Sequence, residues 1–454
     1  MKIVIVGSGK IGTTIIESLL SEGHDITVVD NNPQVVSQIS NIYDVMCVCG
    51  NAADYDTLAE AEVQKAEMLI AVTGSDELNM LTCFFAKRMG AKQTVARIRN
   101  PEFNDKNLGF VRHQLDISLS INPERLAAQE VFNILRLPSA VNIETFSRRN
   151  FEMVEIILKP DSPLDGMSLI DLRKKYKASF LVGVVRRGED IFIPDGNFVL
   201  KSGDHIAITA NFTQAQKMLK MLGITKKQSR SVMILGASTT AYYLAKMLLS
   251  AGVSVTVIDK EREICNKFTE LLPGAVVING DGAQQDLLLE EGITSTDAFV
   301  TLTGIDEENI LISFFAASQN VPKVITKANR NELISMAEKL GLESIISPKK
   351  AVSNLVTSYV RAVENSLGSN VETLYKLMDG KVEALEFNVQ SDFKAQHIPI
   401  KDMKLKPNIL IAGIIRKRKA FIPSGEDEII AGDKIVVIAK ATDSVMNDLS
   451  DILK

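Results

Sequence analysis

The chain has 454 residues, with 51 Lys or Arg against 56 Asp or Glu, so its formal net charge at pH 7 is −5. That slightly acidic balance argues against nucleic acid as a main partner, because binding to phosphate backbones needs clustered cations. A composition of 46% hydrophobic and 24% charged residues excludes a disordered chain. The apolar runs are shorter than the roughly 18 residues of a membrane span, and the one after Met1 is too short for a secretory signal. The length suggests about three domains, and we expect a cytoplasmic location.

Residues 1–122 alternate short apolar runs with segments of helical period, a pattern that indicates a parallel sheet wrapped by helices. The predicted strands are Ile3–Val6, Ile26–Val29, Val45–Val48, Met68–Val72, Thr94–Ile98 and Ile117–Ser120. Four cysteines without Cys-x-x-Cys spacing predict neither disulfides nor a metal site. Cys47 and Cys49 lie on one face of the third strand, where we expect buried packing.

The first strand leads into a glycine pattern formed by Gly7, Gly9 and Gly12, followed by Asp30 at the end of the second strand. In this context the pattern is a dinucleotide-binding fingerprint. Gly7 permits the tight turn, Gly9 lets backbone N–H groups approach a pyrophosphate, and Gly12 lets the helix pack closely on the strand. A carboxylate at Asp30 suits two ribose hydroxyls and repels a 2′-phosphate, so NAD(H) is favoured over NADP(H). The alternative is a sheet that uses these glycines for packing alone.

Later strand ends reach the same edge of the sheet, where ligands bind in open α/β folds. Asn51 follows strand three and is a candidate to close over the adenosine. Thr73 and Gly74 follow strand four. Arg97, in strand five, can pair with a phosphate or with a neighbouring carboxylate. The polar residues Asp76, Glu77 and Asn79 fit helix capping as well as a ligand role.

After Pro123 a helix is predicted over Glu124–Leu135, closed by Pro138, and residues 123–141 are interpreted as a crossover helix connector. Residues 142–225 then give short strands separated by turn signals, with helices near 168–176 and 212–222. They predict a small α+β domain. The polar segment Lys226–Arg230 is the expected linker to the second half of the chain.

The second half of the chain repeats the first at an offset of 229 or 230. Lys2–Gly7 is echoed by Ser231–Gly236, Ile26–Asp30 by Val255–Asp259, and Phe192–Pro194 by Phe421–Pro423. The fold class is therefore α/β, in two tandem copies of a Rossmann-like parallel-sheet domain followed by a small α+β domain. The second copy has its Rossmann-like domain at 229–347, its crossover helix connector at 348–366 and its small domain at 367–454. Four domains replace the three that length suggested.

The second copy departs from the fingerprint. Ser238 stands where the pyrophosphate needs Gly9, and Ala241 replaces Gly12, although Asp259 is retained. Lys327 stands in the place of Arg97. We expect the second site to bind a nucleotide more weakly, or to bind something else.

A catalytic constellation is not apparent in the sequence. A dehydrogenase needs a general acid or base at the nicotinamide, yet we expect His24, His205 and His397 to lie at the surface. A regulatory binding protein is therefore favoured over the alternative, an NAD-dependent oxidoreductase whose substrate binds at the small domains.

The domain order, the fingerprint with Asp30, the Thr73–Asn79 segment and the Val95–Arg99 segment together resemble the TrkA family of regulatory subunits of Trk potassium uptake systems, which carry RCK (KTN) domains. The resemblance covers essentially the whole chain. It implies no enzymatic activity, NAD(H) binding, and competition by ATP or ADP at the same sites. It also implies a homotetramer docked, at the inner face of the cell membrane, on a membrane-embedded potassium transporter. The candidate cofactor-binding residues are Gly7, Ser8, Gly9, Lys10, Ile11, Gly12, Asp30, Asn51, Thr73, Gly74, Arg97 and Asp259.

Overall fold

The structure is a computed structural model. It describes residues 1–103, 105–146, 151–160, 162–176, 180–210, 212–221, 228–365, 371–378, 381–417, 419–441, 446 and 448–454. The expected linker Lys226–Arg230 is described from residue 228 onward; residues 226 and 227 lie outside the described ranges. Within these ranges, none of the helices combines the length and the hydropathy that a membrane span needs.

The first parallel sheet has the strand order β3-β2-β1-β4-β5-β6, which is the order of dinucleotide-binding Rossmann folds. Its elements are β1 (Lys2–Val6), α1 (Lys10–Ser21), β2 (Asp25–Asp30), α2 (Pro33–Ile42), β3 (Met46–Cys49), α3 (Tyr55–Glu60), β4 (Met68–Ala71), α4 (Asp76–Met89), β5 (Gln93–Arg97), α5 (Asp105–Gln114) and β6 (Leu119–Ile121). The central strands β1 and β4 are apolar and buried from Ile3 to Val6 and from Met68 to Ala71, because helices cover both faces.

A crossover helix α6 (Pro123–Arg136) leads to a five-stranded antiparallel sheet in the order β10-β9-β11-β8-β7. The elements of this small domain are β7 (Asn142–Phe146), β8 (Phe151–Ile157), α7 (Leu169–Tyr176), β9 (Leu181–Arg187), β10 (Asp190–Phe192), β11 (His205–Ala210) and α8 (Phe212–Met221). The expected α+β character is confirmed, as are the helices near 168–176 and 212–222.

The second copy repeats both sheets, with orders β14-β13-β12-β15-β16-β17 and β18-β19-β22-β20-β21. Its elements are β12 (Ser231–Leu235), α9 (Thr239–Ser250), β13 (Ser254–Asp259), α10 (Arg262–Leu271), β14 (Val276–Asn279), α11 (Gln285–Glu290), β15 (Ala298–Thr301), α12 (Asp306–Ser318), β16 (Lys323–Lys327), α13 (Asn331–Lys339), β17 (Ile345–Ile346), α14 (Pro348–Asn365), β18 (Val371–Leu377), β19 (Val382–Asn388), β20 (Ile409–Arg416), β21 (Lys419–Phe421) and β22 (Lys434–Lys440). The predicted fold class is thereby confirmed. The six domain boundaries stay predictions.

Three local expectations are wrong. The sixth strand is Leu119–Ile121 instead of 117–120, because Ile117 still donates its N–H to the carbonyl of Arg112 at the end of α5. Cys49 is exposed and Cys47 half-buried, because β3 is an edge strand of the sheet.

The third concerns His24, which is only 7% exposed instead of lying at the surface. Its Nδ1 lies 3.4 Å from both the amine of Met1 and Oε1 of Glu364, a residue of α14 in the second copy. Burial lowers the pKa of His24 and outweighs the opposing effect of Glu364. His397 is exposed as expected, and His205 is half-buried beside Glu155.

The two copies exchange their crossover helices. Apolar residues of α6, such as Ala128 and Val131, are buried in the core of the second Rossmann-like domain with Leu244 and Leu248 of α9. Reciprocally, α14 packs on the first domain, and a core is formed by residues of both: Ile3, Ile15, Leu19, Val352, Val356 and Val360. Each crossover helix leads to the small domain of its own copy, but its apolar face is buried in the Rossmann-like domain of the other copy.

The two antiparallel sheets also pack on each other, face to face. A shared core contains Val184 and Ala207 from the first sheet and Ala384, Val436 and Ile438 from the second. A side chain at Gly183 would place its Cβ 2.4 Å from Cδ1 of Ile438, so glycine at this point of β9 allows the sheets to approach.

A buried ion cluster near the C-terminal end of α14 joins this helix to two domains. Arg361 donates through Nε to Oε2 of Glu22 at 2.6 Å, and its Nη2 donates to Oε1 of Glu383 at 3.3 Å. Glu22 follows α1 in the first Rossmann-like domain, and Glu383 belongs to β19 of the second small domain. One guanidinium therefore joins two domains from opposite halves of the chain.

Arg361→Ala should lower the free energy of unfolding by about 3–5 kcal/mol, because two buried carboxylates lose their shared cation. Urea unfolding followed by circular dichroism measures this change. The control is Arg262→Ala, on the exposed first turn of α10, which should change it by less than about 0.5 kcal/mol. Equal effects of the two substitutions would contradict a structural role for the cluster.

Candidate functional site

The turn between β1 and α1 is shaped by two glycines that the backbone requires. Gly7 has φ of +92°, and a Cβ there would lie 2.9 Å from the backbone nitrogen of Thr73. A Cβ at Gly12 would lie 2.0 Å from the carbonyl oxygen of Gly7. The predicted tight turn at Gly7 and close helix packing at Gly12 are confirmed.

Gly9 is different, because the protein itself does not need a glycine at this position. Its φ of −66° suits any residue, and a Cβ there would meet no atom within 4 Å. The free space lies at the N-terminus of α1, where backbone N–H groups and the helix dipole favour an anion. This is the cradle that a pyrophosphate would fill.

Asp30 ends β2 and points back to this turn. Its Oδ2 accepts hydrogen bonds from the backbone N–H and the hydroxyl of Ser8, each at 2.8 Å. Among the described residues, its Oδ1 accepts only the N–H of Asn32, at 3.0 Å, and a carboxylate oxygen can accept more than one hydrogen bond. Ser8 is buried behind Asp30 and orients the carboxylate instead of facing the cleft.

The ends of β4 and β5 are joined by the buried amide of Asn79. Its Oδ1 accepts the N–H and the hydroxyl of Thr73 at 2.8 and 2.7 Å, and its Nδ2 donates to the carbonyl of Arg97 at 2.9 Å. The second copy repeats this arrangement with Asn309 and Thr303. Asn79 is therefore neither a helix cap nor a cavity-lining residue.

The capping role expected in this segment belongs to Ser75, whose Oγ accepts the N–H of Leu78 at 3.2 Å. Asp76 instead accepts the N–H groups of Arg99 and Asn100, at 2.7 and 2.8 Å. It fastens the loop after β5 to the start of α4. Glu77 accepts the hydroxyl of Ser75 at 2.7 Å.

Arg97 lies beside a carboxylate, as one of the two alternatives from the sequence allowed, although the sequence did not identify the residue. Its Nη2 is 3.5 Å from Oε1 of Glu124, the second residue of α6. Nε of Arg97 and Oε2 of Glu124 are buried and have no hydrogen-bond partner within the described residues. Burial lowers the pKa of Arg97, as does the charge of Arg99, although a guanidinium stays protonated at neutral pH.

These residues open into one cleft of about 740 Å³. Nine of the predicted site residues line it: Gly7, Gly9, Lys10, Ile11, Asp30, Asn51, Thr73, Gly74 and Arg97. Ser8 and Gly12 shape the turn from behind. Asp259 does not line the cleft.

The second copy forms the opposite wall of the same cleft, a contact that was not predicted from the sequence. Its lining residues are Ser238, Thr239, Thr240, Lys327, Asn329, Pro348 and Lys349. The start of α6, with Glu124, was missed as well. The only sequence signal was the proline that begins each crossover helix, since no local pattern reports contact between residues more than 200 positions apart.

The second copy keeps the geometry of the glycine loop. At the position of Gly9, however, it has Ser238, whose side chain lies at the start of α9. Gly236 has φ of +94°, and Asp259 accepts the N–H of Ala237 at 2.7 Å, as Asp30 does for Ser8. The hydroxyl of Ser238 accepts the N–H of Ala241 at 3.4 Å and so caps α9. Because this backbone N–H is already bonded to the Ser238 hydroxyl, it is not available to donate to a phosphate.

The fold and cleft define a class of protein: a duplicated Rossmann-type chain in which each parallel-sheet domain carries a small antiparallel domain. Models of two families match in both halves. The TrkA-N domain matches residues 3–110 and 232–348, and the TrkA-C domain matches residues 153–223 and 384–452. The chain belongs to the TrkA family.

Relatives match over nearly the full length. The Trk system potassium uptake protein TrkA homolog of Archaeoglobus fulgidus is 31% identical over 441 residues, covering 97% of each chain. The Trk system potassium uptake protein TrkA of Vibrio alginolyticus is 31% identical, covering 96% of this chain and 93% of its own. Homolog 1 of Methanosarcina mazei is 30% identical over 450 residues, covering 97% of this chain and 98% of its own.

Solved structures share the fold. The GsuK channel superposes with a TM-score of 0.65 at 18% identity, covering 97% of this chain and 77% of that chain. The GsuK channel bound to NAD gives a TM-score of 0.64 at 17% identity, with the same coverage of both chains.

The described residues contain no group of three or more His, Cys, Asp or Glu placed to hold a metal ion.

Gly12→Ala should lower the free energy of unfolding of the ligand-free protein by about 1–3 kcal/mol, because the new methyl overlaps the carbonyl of Gly7. Gly9→Ala, with open space around its Cβ, is the matched control and should leave stability within about 0.5 kcal/mol of the parent. Thermal unfolding without ligand distinguishes them. If Gly9→Ala is the more destabilising change, the assignment of the two glycines is wrong.

Proposed function

We propose that this chain is a nucleotide-sensing regulatory subunit that binds NAD(H), and also ATP or ADP, in the cleft between its two copies and gates a membrane-embedded potassium transporter. The observation that carries the proposal is the shared cleft, because a ligand in it would touch both halves of the chain at once. The names of the relatives, as parts of Trk potassium uptake systems, support the transport role.

The first copy's residues fit a dinucleotide. Gly9 leaves a cradle at the start of α1, and Asp30 stands at the end of β2, where this fold holds a ribose, with acceptor capacity left on Oδ1. Nε of Arg97 is a buried donor without a partner in the described structure, and an anion would satisfy it. Asn51, Thr73 and Gly74 line the wall between these points.

The crossover helices supply a route from the cleft to the small domains. Both begin at its wall, α6 with Pro123 and Glu124 and α14 with Pro348 and Lys349. Each then runs through the core of the opposite copy, and α14 reaches the second small domain through Arg361 and Glu383. A ligand that binds more tightly when the starts of α6 and α14 are at one particular distance would favour the domain arrangement with that distance. The size of the shift is set by the difference in the ligand's affinity for the two arrangements.

We further propose that the working assembly is a homotetramer that lies in the cytoplasm, peripheral to the inner face of the membrane through its transporter partner. Neither nucleotide is consumed in this function. The alternative, an NAD-dependent oxidoreductase, requires steady oxidation of NADH with a small carbonyl substrate.

Asp30→Ala should weaken NADH binding by about 10- to 150-fold, the equivalent of the ~1.5–3 kcal/mol that hydrogen bonds to a charged group contribute. Titration calorimetry on the full chain measures it. Asp259→Ala is the matched control, since Asp259 makes the same turn contact but does not line the cleft, and it should change the affinity less than threefold. If Asp259→Ala is the more damaging change, the cofactor lies in the second copy.

Gating can be tested in vesicles that contain the Trk-type transporter of the same organism. Adding the purified chain should make rubidium or potassium flux depend on whether NADH or ATP is present, while both nucleotides are recovered unchanged. Gly9→Ser, which fills the cradle as Ser238 does, should abolish the nucleotide dependence, and Ser238→Ala should leave it intact. Nucleotide-independent flux, or steady turnover of NADH, would refute the proposal.

A further inference from the structure

A cluster of charged side chains connects the first small domain to the second Rossmann-like domain. His205, the first residue of β11, is paired directly with Arg186 of β9, so both side chains project from the same face of the sheet. Glu155 of β8 lies beside them, and all three side chains are half-buried. On its other side, Nη1 of Arg186 lies 3.9 Å from Oε2 of Glu338, in α13 of the second copy.

One ring nitrogen of His205 faces two groups with opposite requirements. Its Nδ1 lies 2.8 Å from Nη2 of Arg186 and 3.0 Å from Oε1 of Glu155. A guanidinium can only donate and an ionised carboxylate can only accept, whereas a ring nitrogen has either a lone pair or a hydrogen. Nδ1 with a lone pair therefore accepts from Arg186, and Nδ1 with a hydrogen donates to Glu155. It cannot do both.

Protonation of the ring therefore changes the partner of Arg186. In an imidazolium both nitrogens carry hydrogens, so Nδ1 no longer accepts, and Arg186 faces a second cation. Glu155 is then bound to His205, and the next carboxylate that the described structure places near Arg186 is Glu338. Nε of Arg186 is buried without a hydrogen-bond partner in the described ranges, so a shift of the guanidinium breaks no bond at that atom.

The charged groups further out are already paired with one another. They are Asp204 with Arg187 in the first small domain, and Glu189 with Lys339 and Lys381 from the second copy. Imidazole is the ordinary side chain whose charge changes between pH 5 and 8. His205 is therefore the member of this group that can respond to pH near neutrality.

The second copy has a permanent cation at the corresponding position. Lys434 stands where His205 does, and it is paired across the sheet with Ile415 instead of an arginine. Its Nζ lies 3.7 Å from Oε1 of Glu386, the counterpart of the carboxylate on β8. With an apolar residue in place of the arginine, a cation can lie beside this carboxylate without a competitor.

We propose that His205 is a proton-dependent switch of the contact between the first small domain and α13. While the imidazole is neutral, Arg186 is bound to it. When Nδ1 takes up a proton it donates to Glu155, and Arg186 moves to Glu338 in the other copy. Acidification thereby tightens a contact between domains from opposite halves of the chain, independently of any nucleotide.

NMR titration of the full chain with 13C-labelled histidine tests the proton step, because the four histidines are few enough to assign by substitution. Glu155→Gln should lower the titration midpoint of His205, and Arg186→Gln should raise it, each by at least about half a pH unit. Glu338→Gln should also lower the midpoint, but not in a chain that already carries Arg186→Gln. An effect of Glu338 that persists without Arg186 is a direct charge effect and overturns the switch.

Hydrogen exchange followed by mass spectrometry measures the contact itself. After correction for intrinsic rates, residues 331–339 should exchange at least about threefold more slowly near pH 5.5 than near pH 8. His205→Lys, which introduces the residue type of Lys434, should give slow exchange at both pH values, and His205→Gln fast exchange at both. His397→Gln, at an exposed histidine of the second small domain, is the matched control and should keep the pH dependence of the parent.

The switch is refuted if exchange in α13 does not depend on pH, or if His205→Gln leaves that dependence unchanged. Circular dichroism checks the fold of each variant. If a His205 variant does not fold, the NMR titration of Glu338→Gln decides the question, because Glu338 is exposed and its replacement leaves the packing intact.

Discussion

Each crossover helix is buried in the opposite copy, and this burial constrains where every domain can lie. The helices α6 and α14 each have an apolar stripe that must be buried, and the other copy provides the surface. The exchange fixes how the two Rossmann-like domains face each other. It thereby determines that the starts of α1 and α9 line one cleft.

The two copies share a structural framework but differ at the cleft. The structural framework is kept in both: Asn79 and Asn309 join strand ends in the same way, and Arg187 and Arg416 form the same paired hydrogen bonds with Asp204 and Asp433. The two copies differ at the cleft, where the second has Ser238 in the place of Gly9 and Lys349 in the place of Glu124. Conserving the framework keeps the fold stable, while the changed positions make the two walls of one cleft unequal.

The proposed coupling between the cleft and the small domains depends on buried polar contacts as well as on apolar packing. Arg361 and the group formed by Met1, His24 and Glu364 lie where α14 meets the first domain. Buried charges tolerate little change in spacing, since a partner lost in a low-dielectric interior is costly. Such contacts favour discrete domain arrangements over a continuous range, which is what a two-state regulator requires.

The duplication, the α/β class and the roles of Gly7 and Gly12 could all be predicted from the amino-acid pattern, because they depend on periodicity, offset and backbone geometry within a few residues. The same pattern placed nine of the twelve candidate residues at the cleft, since strand ends of a parallel sheet meet at one edge. Folding in three dimensions was needed to establish that α6 and α14 are exchanged, that His24 is buried against Glu364, that Glu124 faces Arg97, and that Lys327 and Lys349 belong to the first copy's cleft. Most of those contacts join residues far apart in the chain. They are stabilised by apolar packing and by ion pairs that form only after the domains have packed together.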